Sequence, residues 1–417
     1  MYSTSLLVAD QRHHALFALN TAEPTRGEPA PYVVAEDSVL AEHAGMLQLP
    51  DHRIAYLDDA AGELRILTHD GSGRLHLKHR VSVAIPGEHL AVSPDGAWVG
   101  VGTGFGAEFS ATTDQITLVH LYPGGHDAPR GYRVRTRPGE HGIALSTEGL
   151  WLRHREPGAV QYIPFTEITQ AGPHVPQVHG VTSTHVGNAA HGEAFDPHTE
   201  TFYTATENGL ESFRVRTAED GAVEILPQPK IDWAAGEGAR AFFLRCRPAH
   251  RQLATTLRAG GENPRQWHEW PNWVFTYDLD TGHVTTADVG PGLVFRCAQT
   301  PTALAVTRVH PDGDELVVFN SSDLSLRGRW ALPGMDRAPR PGHEPWDDAD
   351  RRAIAAHPNR EEVAVSRGGH GQVHLVDVSR PGTELKTVQF PSPLRDGGHL
   401  GWFDDRSPTR EFDTVGR

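Results

Sequence analysis

Five histidines stand at comparable places along a chain of 417 residues: His43 in "EHAGMLQLP", His89 in "EHLAVSPDGAW", His141 in "EHGIALSTEG", His191 in "HGEAFDPHTE" and His399 in "GHLGWFDD". Each opens a short apolar run that closes on a turn, and successive runs fall roughly fifty residues apart where they are consecutive. The chain holds 26 His, so chance would put about one and a half at eight equivalent positions, even with a residue of slack each way. Neutral imidazole is the commonest metal ligand, and several converging with no thiolate suit a divalent transition metal with positions left open for substrate. Iron or copper is the first expectation and zinc the second. Glu42, Glu88 and Glu140 each precede one of these histidines. A carboxylate that accepts the second ring N–H fixes the tautomer and raises ligand basicity, or serves as a base in its own right. Adjacent residues of a strand point to opposite faces, so each Glu is expected to serve the histidine of a neighbouring repeat. The competing reading is that each imidazole only hydrogen-bonds the backbone of the next repeat. Five imidazoles crowded on one arc would titrate near neutral pH and repel once charged, which makes a bound ion the more economical account. "THVGNAAHG" places His185 shortly ahead of His191, a further candidate for the same set.

A second set is cationic. Arg245 and Arg296 occupy matching places in "FFLRC" and "LVFRC"; Arg240 stands at the head of the first of these runs, and Arg351 and Arg352 at the head of a later one. Guanidinium forks opposite the histidines suit a carboxylate or other anionic substrate. Salt bridges to acids such as Asp404 or Glu237 are the alternative use of the same groups. "RQWHEWPNW" carries Trp267, Trp270 and Trp273 on an insertion. Those rings either roof a pocket for an apolar or aromatic ligand or pack as a loop or contact patch.

The elements that must position these residues repeat along the chain. The unit is an apolar strand, a turn, a second strand, an alternating third and a more polar fourth. Copies start at Glu42, near Glu88, at Glu140, His191, Ala239, Gly292 and Arg351. An eighth first strand, "GHLGWFDD", has nothing after it to pair with, whereas "SLLVADQ", "HALFALN" and "PYVVAED" near the N-terminus are three strands without a first. A ring closed between the two chain ends supplies both and removes a free sheet edge. The expectation is an all-β chain forming one β-propeller domain over residues 1–417, with eight four-stranded blades or, if one unit is split wrongly, seven. First strands line the central channel in such a ring, so the histidines and arginines meet there.

The phrases "AVSPDGAWVGVG" and "FDPHTETFYTAT" resemble the broad superfamily of YVTN-type and cytochrome d1-type propellers. The resemblance implies the fold and brings no catalytic residue with it. The regular Gly-His and Trp-Asp marks of WD40 blades are missing.

Composition narrows the partners. Net charge is -15 and only Lys78, Lys230 and Lys386 are lysines, so nucleic acid and anionic membrane surfaces are not expected. No basic leader with a long apolar run opens the sequence, which points to a cytoplasmic protein. Cys246 and Cys297 are the two cysteines, too few for a disulfide framework or a multi-cysteine zinc site, and they read as buried thiols. "GTGFGAEFS" follows a strand without opening a helix, and no G-x-S-x-G elbow occurs. The function expected first is a metal-dependent oxidoreductase acting on a small, anionic molecule at the channel. A hydrolase, lyase or isomerase like the lactonase propellers comes second and would use the same histidines with Glu42, Glu88 or Glu140 as base. A non-catalytic interaction scaffold comes third, and a channel rich in histidine argues against it.

Overall fold

The computed structural model describes residues 4–21, 30–41, 43–49, 51–70, 72–104, 112–125, 128–139, 141–155, 157–184, 186–188, 192–236, 238–247, 250–261 and 263–404. Eight four-stranded antiparallel sheets form the blades of a closed ring. The inner strands of blades 1 to 7 are Met46–Gln48, Gly87–Val92, Gly142–Leu145, Glu193–Asp196, Arg240–Arg247, Cys297–Gln299 and Ile354–Ala356. Blade 8 takes its inner strand, His399–Asp404, from the end of the chain, and its outer three, Thr4–Asp10, Ala15–Asn20 and Tyr32–Ala35, from the beginning. The register there pairs Thr4 with Asp404 and Ala9 with His399. Eight blades and closure between the chain ends are what the repeat demands: each sheet's inner edge faces the channel, and only a closed ring leaves no blade face bare.

What holds the ring together sits between blades, because a strand that alternates side chains offers an apolar face to each neighbour. Leu57 and Ile66 of blade 1 meet Leu90 and Val99 of blade 2. Phe195 and Phe202 of blade 4 meet Trp151 and Tyr162 of blade 3, with Trp151 and Phe202 stacked at 5.1 Å. Leu6 and Phe17, from the N-terminal strands, pack with Leu400 and Trp402 of the closing strand and with Leu375 of blade 7. Strongly buried apolar side chains recur at all the junctions, so every blade is clamped on both faces. Among the described residues no helix is long and apolar enough to cross a membrane.

Candidate functional site

Because all the inner strands run the same way through the ring, their N-terminal ends gather at one end of the channel. On one arc of that end lies a pocket enclosing about 560 Å³, part of it open solvent. Arg296, Arg351 and His399 line it together with Phe243, Phe295 and Thr307. These residues come from the strand heads of blades 5, 6, 7 and 8 and from the second strand of blade 6, which carries Thr307. His399 is 4% exposed and opens the inner strand of blade 8. The Arg296 guanidinium carbon lies 4.7 Å over the centre of the Phe243 ring, so the ring holds the fork flat. Phe243 itself has φ 63°, a left-handed conformation that costs a bulky residue energy and persists only where its surroundings enforce it. It sits in a bulge of the Arg240–Arg247 strand, where the register slips between Phe242 and Arg245. One acid also lines the pocket, Asp396, and it is paired with Arg12 at 2.8 Å.

The bulge separates two arginines that the sequence makes equivalent. An extra residue on one strand turns the side chains beyond it to the other face. Arg296 therefore reaches the mouth, whereas Arg245, 8% exposed, lines a separate cavity with Cys297, Ala298 and Leu400. Arg240 is exposed and pairs across the strand with Arg258. Two further substrate-binding expectations need correction. Arg352 borders the pocket, but its guanidinium is committed elsewhere: Nε donates to Asp314 Oδ2 at 2.7 Å, Nη1 to the Ser366 carbonyl at 3.2 Å and Nη2 to the Pro333 carbonyl. Its partner is Asp314 of blade 6 and not Asp404, and burial lowers its pKa. Trp267 is wholly buried among Leu293, Val309 and Met335, and its indole N–H points to the Arg340 carbonyl at 3.4 Å. It supports the loop from beneath and offers no face to a ligand. Trp270 is buried likewise, with Arg258 stacked at 4.6 Å.

The histidines share strand heads without sharing one centre. His43 Nδ1 bonds Glu88 Oε2, across the junction of blades 1 and 2. This is the pairing of a glutamate with the neighbouring blade's histidine that strand alternation predicts. Gly104 makes room for it, since a Cβ there would come 2.2 Å from the Glu88 side chain. The pair is open to solvent on the histidine side, with side-chain exposures of 38% for His43 and 17% for Glu88. Beside it, Asp59 accepts from the Gly87 N–H at 2.9 Å, and burial raises its pKa. His89 sits half-buried next to a bulge in the Gly87–Val92 strand. His141 is fully buried, with Nε2 3.2 Å from Thr136 Oγ1, and desolvation pushes its pKa down to about 4. Among the described residues no three His, Cys, Asp or Glu side chains come together closely enough to hold a metal ion. The five-histidine metal centre is therefore not assembled by His43, His89, His141 and His399. His191, His185, Glu42, Glu140 and Glu237 lie outside the described residues.

Sequence reasoning missed His154, buried at the end of the second strand of blade 3, whose ring centre lies 5.6 Å from that of His141. The signal was available: "GLWLRH" ends an apolar strand on a histidine. It lies on a second strand, away from the first strands that line the channel. Cys246 and Cys297 are buried and form no disulfide, as expected.

The ring is similar to that of apo AztD from Citrobacter koseri, at 11% identity over 97% of this chain and 99% of that one, with a TM-score of 0.63. A further crystal structure of Citrobacter koseri AztD matches at 11% identity over 97% and 98% of the two chains, TM-score 0.60. Dihydro-heme d1 dehydrogenase NirN in complex with DHE matches at 13% identity over 92% of this chain and 72% of that one, TM-score 0.53. Identities this low establish the shared propeller fold and nothing finer. No protein-family model matches the chain, and no curated protein matches it.

Proposed function

We propose that this propeller binds a small organic anion, a carboxylate, at the strand-head end of its channel and acts on it by acid–base chemistry, as a hydrolase, lyase or isomerase. The observation that carries the reading is the pocket itself: two arginines from adjacent blades, Arg296 and Arg351, and the buried imidazole of His399 surround one cavity that also carries two aromatic rings. A planar fork presented beside apolar surface is the arrangement that recognises a carboxylate, and partial exclusion of water strengthens it. The acid–base part rests on His43 and Glu88 at strand heads of the same ring. A carboxylate bound to Nδ1 holds the ring in the tautomer whose Nε2 takes up a proton. The metal-dependent oxidoreductase has less support, since the histidines expected to bind its ion do not converge among the described residues.

The test is calorimetric titration of the purified chain with acetate, succinate and benzoate, repeated on Arg296→Met and Arg351→Met. Loss of one charged hydrogen-bonding contact weakens binding by about 1.5–3 kcal/mol, roughly 10- to 100-fold. Absence of carboxylate binding by the parent, or unchanged affinity in both folded variants, refutes the reading. Glu88→Gln is expected to leave anion affinity in place and to lower turnover once a substrate is found.

A further inference from the structure

A second polar site lies away from the channel pocket, inside blade 3 and its junction with blade 2. His141 precedes the inner strand of blade 3, and His154 ends the second strand, Gly149–His154. They are 0% and 2% exposed. The hydrogen bonds around them fix the tautomer of His154 and accommodate the same one at His141. The Gln161 amide nitrogen donates to the His179 carbonyl, which turns its oxygen toward His154; that oxygen accepts from His154 Nε2 at 3.0 Å. Thr136 Oγ1 lies 3.4 Å from the Arg137 carbonyl and 3.2 Å from His141 Nε2, so a hydroxyl that gives its proton to the carbonyl accepts from an Nε2–H ring. His154 is thus an Nε2–H imidazole with a lone pair on Nδ1, and the contacts of His141 accommodate the same tautomer. Both Nδ1 atoms are buried, and neither finds a hydrogen-bond donor among the described residues.

A buried acceptor left unmade is costly, and two on rings 5.6 Å apart are a feature to be explained. One function makes use of all of it. Histidines that ligate a metal give their other ring N–H to an oxygen acceptor, which fixes the ring and presents the free nitrogen. Two imidazoles that share one ion through nitrogens at about 2.0–2.1 Å have ring centres roughly 5–6 Å apart.

We infer that His141 and His154 bind one transition-metal ion of the imidazole-preferring class through their Nδ1 atoms, with Thr136 and Gln161 as positioning residues. Two ring nitrogens satisfy copper(I) and form half of a tetrahedral zinc site. The guanidiniums of Arg155 near His141 and of Arg137 and Arg153 near His154 oppose a divalent ion more than a monovalent one, which favours copper(I). The inference is independent of the anion pocket, which uses none of these residues.

The experiment titrates metal-free protein with Zn²⁺ and, separately and without oxygen, with Cu⁺, each against a chromophoric chelator. The parent is expected to bind one ion of at least one kind per chain. His141→Gln and His154→Gln are expected to weaken that ion at least 10-fold, Gln161→Leu 10- to 100-fold, and His43→Gln not at all. X-ray absorption of the loaded parent is expected to show two imidazole nitrogens on the ion. Long-range ¹H–¹⁵N spectra of the metal-free parent, which need no variant to fold, are expected to show both rings as Nε2–H tautomers. No ion bound by the parent, unchanged affinity in the folded Gln variants, or an Nδ1–H tautomer on either ring overturns the inference.

Discussion

Asp314→Ala tests whether Arg352 belongs to the ring or to its ligand. In the folded chain the Arg352 side chain is 1% exposed and that of Asp314 6%, with Nε and Oδ2 2.7 Å apart. Asp314 also accepts from the His310 backbone N–H at 3.2 Å. Removing the carboxylate leaves a buried guanidinium held by two carbonyls and stripped of its counter-charge. Breaking such a pair from one side costs about 3–5 kcal/mol, most of it the penalty of an uncompensated buried charge. Arg352→Met is expected to cost a similar amount by stranding the carboxylate. Asp314→Leu with Arg352→Met removes both charges at nearly constant volume and is expected to return to within about 1 kcal/mol of the parent. Urea denaturation followed by circular dichroism reads these differences directly. In thermal melting they are small, because 417 residues at about 2.1 cal/mol/K each give an unfolding entropy near 0.9 kcal/mol/K, so 3–5 kcal/mol moves the midpoint by only about 3–6 °C. The losses are expected to persist in 0.5 M salt, since screening acts weakly on buried pairs. Single-variant losses that simply add in the double variant would refute the coupling. A stable double variant that no longer binds carboxylate would return Arg352 to the ligand site.

His374 gives a pH dependence. It is 1% exposed, and burial, helped by Arg352 and Arg367, lowers its pKa to about 4. The unfolded chain binds that proton near 6.5 and the folded chain only near 4, so stability is full above about pH 6.5 and falls, by up to about 3 kcal/mol, as pH drops toward 4. Denaturation midpoints of the parent and His374→Gln between pH 4 and 8 check this; equal slopes contradict it. Ending the chain at residue 398 deletes the inner strand of blade 8 and bares Leu6, Val8 and Phe17, so aggregation or early melting by light scattering is expected, and a soluble protein with the parent's melting curve is the contrary result. Phe243→Ala relieves the positive φ poorly and removes the ring beneath Arg296; benzoate affinity is expected to fall several-fold by calorimetry, and no change would mean that the fork is held by other contacts.

The repeat of four strands, its number of copies and the closure of the ring by the two chain ends were legible in the sequence. They depend on local alternation and on a bookkeeping of strands that leaves one unpaired at one end and three at the other. That Glu88 would serve the histidine of the next blade was legible for the same reason, since alternation decides which face a side chain takes. What lay beyond the sequence was direction and depth. The bulge at Phe243 sends Arg245 and Arg296 to different cavities although both precede a cysteine. Arg352 finds Asp314, far along the chain, and turns from the pocket into a junction between blades. His43 and His141 head inner strands two blades apart in aligned positions, yet one meets solvent and a glutamate while the other is sealed beside His154 on the next strand. Period and composition set which residues reach the channel end; one extra residue in a strand, or one partner contributed by another blade, sets where each side chain points, and only the assembled ring decides that.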